Sequence, residues 1–334
     1  MSTIAGPTST SLPHEPRRES HGPSPVVAVV MLTIVLALVL TAFALPAIKS
    51  APHDVPLGLA GPAQATSGIE QALGARAPGA WAVTQYPDEP ALRAAITGRE
   101  VYGGLAVTAA GPKVLTAPAG SPAVAQALTS LAAALGQEQG RTVPVDVVVP
   151  LPAGDPRGAG LAAALLPLLI GAILPVIAMA RAVRGPWRRL AGVLTVAVVA
   201  GGVLAGLLHW FGAFEGAYVL DAAAMIGVMA AMATALLGLY VVAGYAGLGA
   251  GFAVFMLLGN PLSGVATAPE FLPAFWSTVG AWLPPGAAGQ LLRSAAYFDG
   301  AGAARHVLVL GCWFVLGLVL VAAGARRRTE VPQA

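Results

Sequence analysis

Long apolar runs occur in two parts of the chain, and a polar stretch separates them. The first run covers residues 26–48 and contains only Thr33 and Thr41 as polar residues. A helix that spans a bilayer needs about 20 apolar residues, so we predict transmembrane helix 1 at residues 25–48. A cleaved signal peptide is the competing interpretation, because Ala42-Phe43-Ala44 resembles a cleavage site. Signal peptides have shorter apolar regions, and the length of this run favours a retained anchor.

Further apolar runs follow residue 158. Four of them are long enough to span a bilayer: residues 159–180, 190–211, 220–243 and 304–325. A fifth run, 247–258, is short and ends at Asn260-Pro261, so it either begins near Tyr245 and barely crosses or is re-entrant. These patterns predict an α-helical polytopic membrane protein with six transmembrane helices, five of them in a membrane domain at residues 159–325.

The distribution of arginine predicts the orientation, because short flanks rich in Lys and Arg face the cytoplasm. With six spans, nine arginines fall on one side: Arg17, Arg18, Arg181, Arg184, Arg188, Arg189, Arg326, Arg327 and Arg328. The opposite short loops carry Arg293 and Arg305. We therefore expect a multi-pass protein of the plasma membrane with both termini in the cytoplasm. Residues 1–24 are expected to be a disordered cytoplasmic N-terminus, and residues 326–334 a cytoplasmic tail.

Residues 49–158 differ in composition and are predicted to form an extracytoplasmic α/β domain between helices 1 and 2. They carry eight acidic and seven basic residues, and two Gly-Pro turn signals, Gly61-Pro62 and Gly111-Pro112. Alternating patterns predict strands at 55–60, 80–86, 101–108, 113–116 and 145–149, and helices at 63–76, 88–97 and 121–139. In Asp88-Glu89 the two side chains point apart on a helix, so the pair is read as an N-terminal cap rather than as an acid–base pair.

Composition and motifs exclude several classes of function. Of 334 residues, 57% are hydrophobic and 10% are charged, against about a quarter charged in soluble domains, which excludes an ordinary soluble enzyme. The net charge is only +3, and the arginines form no basic stripe, so no nucleic-acid partner is expected. The chain has no G-x-x-x-x-G-K-[ST], H-E-x-x-H, C-x-x-C or G-x-S-x-G. We therefore predict that the chain is not an enzyme and has no catalytic, metal or cofactor site. Any ATPase would be a separate subunit.

The membrane runs contain few ionisable groups, which disfavours an ion-coupled secondary carrier. His209 is interpreted as an interfacial residue beside Trp210, and Asp221 as a helix cap. Gly202–Gly206 and Gly247–Gly251 match G-x-x-x-G, a pattern that allows helices to approach closely and that occurs at subunit interfaces.

The most informative stretch is residues 260–300, which we call the 260–300 segment. Its five prolines prevent a single straight helix, so it is predicted to be a re-entrant or interfacial structure on the outer side. The candidate gate and loop residues are Asn260, Pro261, Ser263, Gly264, Pro284, Pro285 and Arg293. Two interpretations of Arg293 stay open. It either reaches outer headgroups or pairs with Glu270 or Asp299, or it lines an exit and meets an anionic headgroup.

Several short sequences resemble one family. They are Asn260-Pro261-Leu262-Ser263-Gly264, Leu272-Pro273, Trp276, Leu283-Pro284-Pro285-Gly286-Ala287, Leu292-Arg293-Ser294, Tyr297-Phe298 and Arg99-Glu100-Val101-Tyr102-Gly103-Gly104. Together they resemble the permeases of the type 2 ABC exporter superfamily, and within it the YhgE/Pip-like branch, named for a phage infection protein. The resemblance extends over roughly residues 26–325.

The resemblance implies a permease-like subunit that moves an amphipathic or lipid-linked substrate outward across the plasma membrane. It further implies a homodimer or paired permease and a separate ATPase subunit. The alternative is a surface-exposed, membrane-anchored binding or scaffold protein, including a phage-receptor-like one, that performs no transport. A membrane enzyme acting on lipid and a secondary carrier are the remaining classes.

Overall fold

The computed structural model describes residues 24–48 and 50–329. The first element is helix α1, Pro25–Ile48, whose 24 residues are apolar except for two threonines. The hydroxyls of Thr33 and Thr41 donate to carbonyls one turn earlier, so neither leaves an unsatisfied donor on this helix. The predicted disordered N-terminus, apart from residue 24, and the last five residues of the tail lie outside the described residues.

Residues 55–147 contain a five-stranded mixed sheet with helices. The strands are β1 (Val55–Ala60), β2 (Trp81–Tyr86), β3 (Gly103–Thr108), β4 (Gly111–Thr116) and β5 (Val145–Val147). Their order is β2-β1-β3-β4-β5; β3 and β4 form an antiparallel hairpin, and all other neighbours are parallel. The helices are α2 (Ala63–Arg76), α3 (Glu89–Thr97) and α4 (Pro122–Gln139). The predicted α/β organisation is therefore confirmed.

Local chemistry explains where these helices begin and end. The Asp88 carboxylate accepts the Ala91 N–H at 2.9 Å, and the Ser121 hydroxyl oxygen accepts the Val124 N–H at 3.2 Å. Each bond satisfies one free N–H of a first helical turn. Gly140 ends α4 in the left-handed conformation at φ 61°. Asp88 thus caps α3, as its sequence context predicts.

Two glycines allow α3 to pack closely on the sheet. Gly58 of β1 and Gly104 of β3 are direct neighbours across the sheet. A Cβ on Gly58 would clash with the Leu92 side chain, and a Cβ on Gly104 would lie 3.0 Å from it. Leu92 is fully buried there. The Gly103-Gly104 pair therefore serves packing, and it leaves no gap for a ligand in the strand.

The remaining chain is helical. The long helices are α5 (Ala159–Ala182), α6 (Pro186–Trp210), α7 (Tyr218–Ala253), which continues as a π-helix over Val254–Gly259, and α10 (Ala304–Thr329). Within the described residues, four helical stretches are long and apolar enough to cross a membrane: Ala159–Ala182, Pro186–Trp210, Tyr218–Gly259 and Ala304–Arg327. These helices fit a polytopic membrane protein. α1 contributes a shorter apolar stretch, Val29–Thr41.

Helix α7 is interrupted at Gly244, where the chain reverses. Gly244 has φ 63° and ψ −149°, a conformation essentially restricted to glycine. A Cβ on Gly247 would clash with the carbonyl oxygen of Leu239, and one on Gly251 would lie 3.0 Å from the Leu236 side chain. Residues eight apart in a straight helix are about 12 Å apart along its axis, so these contacts require a helical hairpin. One arm ends before Gly244, and the other runs to Gly259.

The hairpin also accounts for one of the two G-x-x-x-G patterns. Gly247 and Gly251 allow the second arm to approach the first within the same chain. This pattern therefore serves an intramolecular contact. Gly202 and Gly206 lie near the Tyr218 ring, and the Tyr218 hydroxyl donates to the Gly202 carbonyl at 3.1 Å.

The 260–300 segment forms short elements between the hairpin and α10. Two 3-10 turns, Pro261–Ser263 and Pro269–Phe271, precede helices α8 (Ala274–Trp282) and α9 (Pro284–Phe298). On α8 the aromatic rings of Phe275 and Trp282 are exposed. All residues of α9 except Tyr297 are buried, and the helix packs on α5, α7, α8 and α10. Protein therefore encloses α9 on all sides.

Candidate functional site

The 260–300 segment is joined to the α/β domain by backbone pairing and by a shared core. The N–H of Ala51 donates to the Phe271 carbonyl at 3.0 Å, and the N–H of His53 donates to the Glu270 carbonyl at 2.9 Å. Ala268 is fully buried within the apolar core of the α/β domain, and Phe271 packs against the same core. The Ser121 hydroxyl, which caps α4, also donates to the Thr267 carbonyl. Residues 267–271 are thus part of the α/β domain's packing.

Arg99 makes the second connection. It follows α3 in the left-handed conformation, with φ 62°, and its guanidinium reaches α9. It donates to the Gln290 carbonyl at 3.1 Å, the Gln290 side-chain oxygen at 2.8 Å and the Ser294 hydroxyl at 2.5 Å. The guanidinium also lies 5.3 Å from the centre of the Phe298 ring, within cation–π range. Burial, and then the charge of Arg293, lower the pKa of Arg99 to about 10.

Tyr102 makes the third connection. Its hydroxyl donates to the Glu270 carboxylate at 2.9 Å. Burial, followed by the negative charge of Glu270, raises the pKa of Tyr102 above its usual value. The phenol therefore keeps its proton and remains a hydrogen-bond donor to Glu270 at neutral pH.

Arg293 is buried in α9, with 3% of its surface exposed. One Nη2–H donates to the Val265 carbonyl at 2.6 Å. Among the described residues, no ion pair joins Arg293 to Glu270 or Asp299. Instead, Arg293 holds the loop between the 3-10 turns against α9.

The other sequence-predicted residues shape the same loop. The Asn260 carbonyl accepts both the N–H of Ser263 at 3.3 Å and its hydroxyl at 2.8 Å. Gly264 has φ 62°, and a Cβ there would lie 2.7 Å from the Pro269 nitrogen. Pro261 begins a 3-10 turn, and Pro284 and Pro285 form the first turn of α9, where a proline costs no hydrogen bond.

These connections surround a cavity of about 390 Å³ between the α/β domain and the 260–300 segment. Its lining includes Arg99, Glu270, Gln290 and Arg305. Of the seven sequence-predicted residues, Ser263 lines this cavity; the other six support the surrounding loop and α9. The cavity is large enough for a small polar group, and its walls come from both parts of the protein.

Sequence reasoning missed the roles of three residues at this junction. Arg99 and Tyr102 belong to a quoted short sequence, yet nothing in the local pattern indicates a contact with α9 or Glu270. Gln290 lies on α9, where the sequence analysis considered the apolar positions and Arg293 but not Gln290. One signal was available: both the stretch Arg99–Gly104 and the 260–300 segment resemble the same family, and the fold brings them together.

A separate polar contact lies between α6 and α7. The His209 Nε2 atom is 2.8 Å from the Asp221 carboxylate, and Asp221 is fully buried. Asp221 lies in the first turn of α7, but Ala217 holds the cap position. The two residues that sequence analysis interpreted separately therefore form one contact.

Among the described residues, no group of three His, Cys, Asp or Glu side chains is placed to hold a metal ion. Comparison with protein-family models, with curated proteins and with solved structures finds no match.

Proposed function

We propose that this chain is a permease-like subunit of a type 2 ABC-like exporter, moving an amphipathic or lipid-linked substrate outward across the plasma membrane. The observation that carries the proposal is the cavity between the α/β domain and the 260–300 segment, with Arg99, Gln290 and Arg305 in its lining. A subunit that receives substrate at a membrane surface needs a polar site beside apolar helices, and this cavity provides one. Four of the seven short sequences that resemble the YhgE/Pip-like branch contribute residues to the lining of this cavity, which supports the family proposal.

The proposal includes six spans, with both termini in the cytoplasm and the α/β domain outside. The reversal at Gly244 supports separate fourth and fifth helices, because it turns a 42-residue apolar stretch into two antiparallel arms. The arginine distribution supports the orientation.

Cysteine labelling tests the orientation in a Cys312→Ala background. Ser67 of α2 and Ala182 at the end of α5 are both exposed and suit the experiment. We expect an impermeant maleimide to label Ser67→Cys in intact cells and to label Ala182→Cys only after permeabilisation. The reverse pattern would contradict the orientation.

A separate ATPase is the partner that distinguishes an exporter from a binding or scaffold protein. The chain has no phosphate-binding loop, so we expect the purified chain alone to hydrolyse no ATP. The junction of α5 and α6 offers three exposed arginines on the proposed cytoplasmic side: Arg181, Arg184 and Arg188. Affinity purification in mild detergent, in a dimer-preserving preparation, should recover an ATPase.

A charge reversal provides the matched test. Arg184→Glu should reduce the recovered ATPase, whereas Arg157→Glu, an exposed change before α5, should leave it unchanged. Recovery of the chain without any ATPase would contradict the exporter proposal and favour the surface-exposed binding protein. Equal loss in both variants would point to a general effect of charge and would also count against docking at this loop.

A further inference from the structure

Hydrogen-bond donors without partners are concentrated on one helix beside the cavity. Five buried side-chain atoms in the described part of the chain lack a hydrogen-bond partner within the protein. Three of them belong to α9: Nε2 of Gln290, and Nε and Nη1 of Arg293. All three atoms are hydrogen-bond donors and cannot act as acceptors, so each requires an acceptor as its partner. A buried donor without a partner is costly, which indicates that something else meets these atoms.

Gln290 faces the cavity. It is 6% exposed, it lines the cavity wall, and its side-chain oxygen accepts from Arg99. That bond fixes the amide so that Nε2 remains available. Arg293 lies three residues further along α9 and therefore on a neighbouring position of the same face. Arg293 does not line the cavity, so Gln290 is the residue that offers its free donor there.

The charges near Gln290 are mainly positive. Arg99 donates only to a carbonyl, an amide oxygen and a hydroxyl, and forms no ion pair among the described residues. A guanidinium has five N–H donors, so Arg99 keeps two for another acceptor. Arg305 also lines the cavity, is exposed, and has no described partner. Buried guanidinium groups without carboxylates are unfavourable unless an anion compensates them.

The two carboxylates in the lining do not cancel this excess. Glu270 accepts the Tyr102 hydroxyl at 2.9 Å. Glu100 is exposed at the rim, where it accepts the Tyr86 hydroxyl at 3.4 Å. Arg99 and Arg305 in the lining, together with the charge of the nearby buried Arg293, thus outnumber Glu270.

We propose that the cavity binds an anionic oxygen group, of the phosphate or carboxylate class, through Arg99, Arg305 and Nε2 of Gln290. The group is either a free anion or part of a lipid headgroup. This inference deepens the proposed function, because it names the chemical class of the substrate's polar part, and it rests on that function only in treating the bound group as cargo. Binding itself requires no transport.

The experiment uses the full chain in nanodiscs of phosphatidylcholine at constant ionic strength. One arm adds inorganic phosphate, and the other replaces part of the lipid with phosphatidylglycerol. A ligand that binds only the folded state stabilises it by RT ln(1 + [L]/Kd), so the thermal unfolding midpoint rises once the ligand concentration exceeds Kd. Arg305→Gln removes a charge from the cavity, and Arg157→Gln removes one from an exposed position outside the lining.

We expect wild type and Arg157→Gln to respond equally to the anion. In Arg305→Gln the anion concentration needed for a given rise of the midpoint should increase about ten-fold, equivalent to roughly 1.4 kcal/mol. Its midpoint without anion should match that of wild type, because Arg305 is exposed. A response to phosphate alone identifies a free anion, and a response to phosphatidylglycerol alone identifies a lipid headgroup; either result supports the proposal.

Gln290→Glu gives a second, independent test. The substituted carboxylate still accepts from Arg99, so the fold should hold, while the free donor becomes an acceptor of the wrong charge. We expect this variant to lose the response to both probes. No response of wild type to either probe, or unchanged responses in Arg305→Gln and Gln290→Glu, would overturn the anion site. If anion binding is absent but an ATPase is still recovered, the anion site is wrong and the exporter proposal stands. If anion binding is present but no ATPase is recovered, the exporter proposal is wrong and the anion site stands.

Discussion

The hydroxyl of Tyr102 in the α/β domain donates to the carboxylate of Glu270, 168 residues further along the chain, at 2.9 Å. This bond, with those of Arg99 to α9, fixes the α/β domain onto the 260–300 segment. The contact links Tyr102 of the α/β domain to the 3-10 turn that precedes α8, so it helps to define the relative position of the two parts. The cavity exists only while that position is kept.

The Tyr102–Glu270 contact should be energetically coupled. Tyr102→Phe removes the donor and leaves a partly buried carboxylate oxygen without its partner, so it should destabilise the protein. Glu270→Leu, which removes the acceptor, should also destabilise it. Because both changes break one bond, the double variant should lose less than the sum, with a coupling of roughly 1–2 kcal/mol. Thermal unfolding of the four proteins in one detergent measures this cycle, and strictly additive losses would show that the contact is absent.

Gly244 should be essential to the hairpin in α7. Its φ of 63° with ψ of −149° excludes a side chain without strain, so Gly244→Ala should destabilise the protein by about 1–3 kcal/mol. Gly249 lies on the second arm with no atoms near its Cβ position. Gly249→Ala should therefore be neutral or stabilising by up to about 1 kcal/mol. The thermal unfolding midpoints of Gly244→Ala and Gly249→Ala test this prediction. Equal changes of the midpoint in the two variants would contradict a reversal at Gly244.

An ionic network on the α/β domain should make its stability depend on acid pH. Lys113 and then Arg93 lower the pKa of both Glu89 and Asp146 through hydrogen bonds. A lowered pKa in the folded state stabilises above the usual carboxylate pKa, and the gain is lost as pH falls through the folded-state value. Stability should thus be higher at pH 6 than at pH 3.

The size of this effect should be small, because the four side chains are 22–37% exposed and solvent screens their charges. We expect less than about 1 kcal/mol from each pair. Glu89→Gln should reduce the difference between thermal midpoints at pH 6 and pH 3 more than Glu138→Gln, whose partner Arg76 lies at a more exposed position. An identical pH response in both variants would contradict a special role for this network.

Local patterns predicted the α/β domain well because its elements are short and clearly bounded. The capping residues Asp88 and Ser121 mark the starts of α3 and α4. The bounds of β1 and α2 are those predicted. The hairpin was only partly predictable. The apolar pattern separates residues 220–243 from 247–258, but the reversal depends on the backbone conformation of one glycine, Gly244.

The site could not be predicted in the same way, because it depends on contacts between distant residues. Tyr102 and Arg99 carry no periodic signal, and their partners lie on α9 and in a 3-10 turn. Arg293 was expected either to reach outer headgroups or pair with Glu270 or Asp299, or to line an exit. It is instead buried against the Val265 carbonyl, because α9 packs inside the protein. Burial on all sides of a short helix follows from tertiary packing, which neither its proline content nor its apolar spacing specifies.

The central claim is that the α/β domain is docked on the 260–300 segment and the start of α10, and a disulfide trap tests it most directly. A Cβ built on Gly302 lies 3.2 Å from the Arg99 Cβ, close to the separation that a disulfide requires. The Tyr102–Glu270 bond and the backbone pairing of residues 51–53 remain in an Arg99→Cys/Gly302→Cys variant. A Cys312→Ala background and a protease site placed between α5 and α6 make the crosslink visible.

After mild oxidation in membranes and cleavage, we expect the two fragments of the double-cysteine variant to stay joined until a reductant is added. The single-cysteine variants should separate under all conditions. Separation of the double variant without reductant would contradict the docked arrangement, and with it the cavity on which the proposed function and the anion site depend.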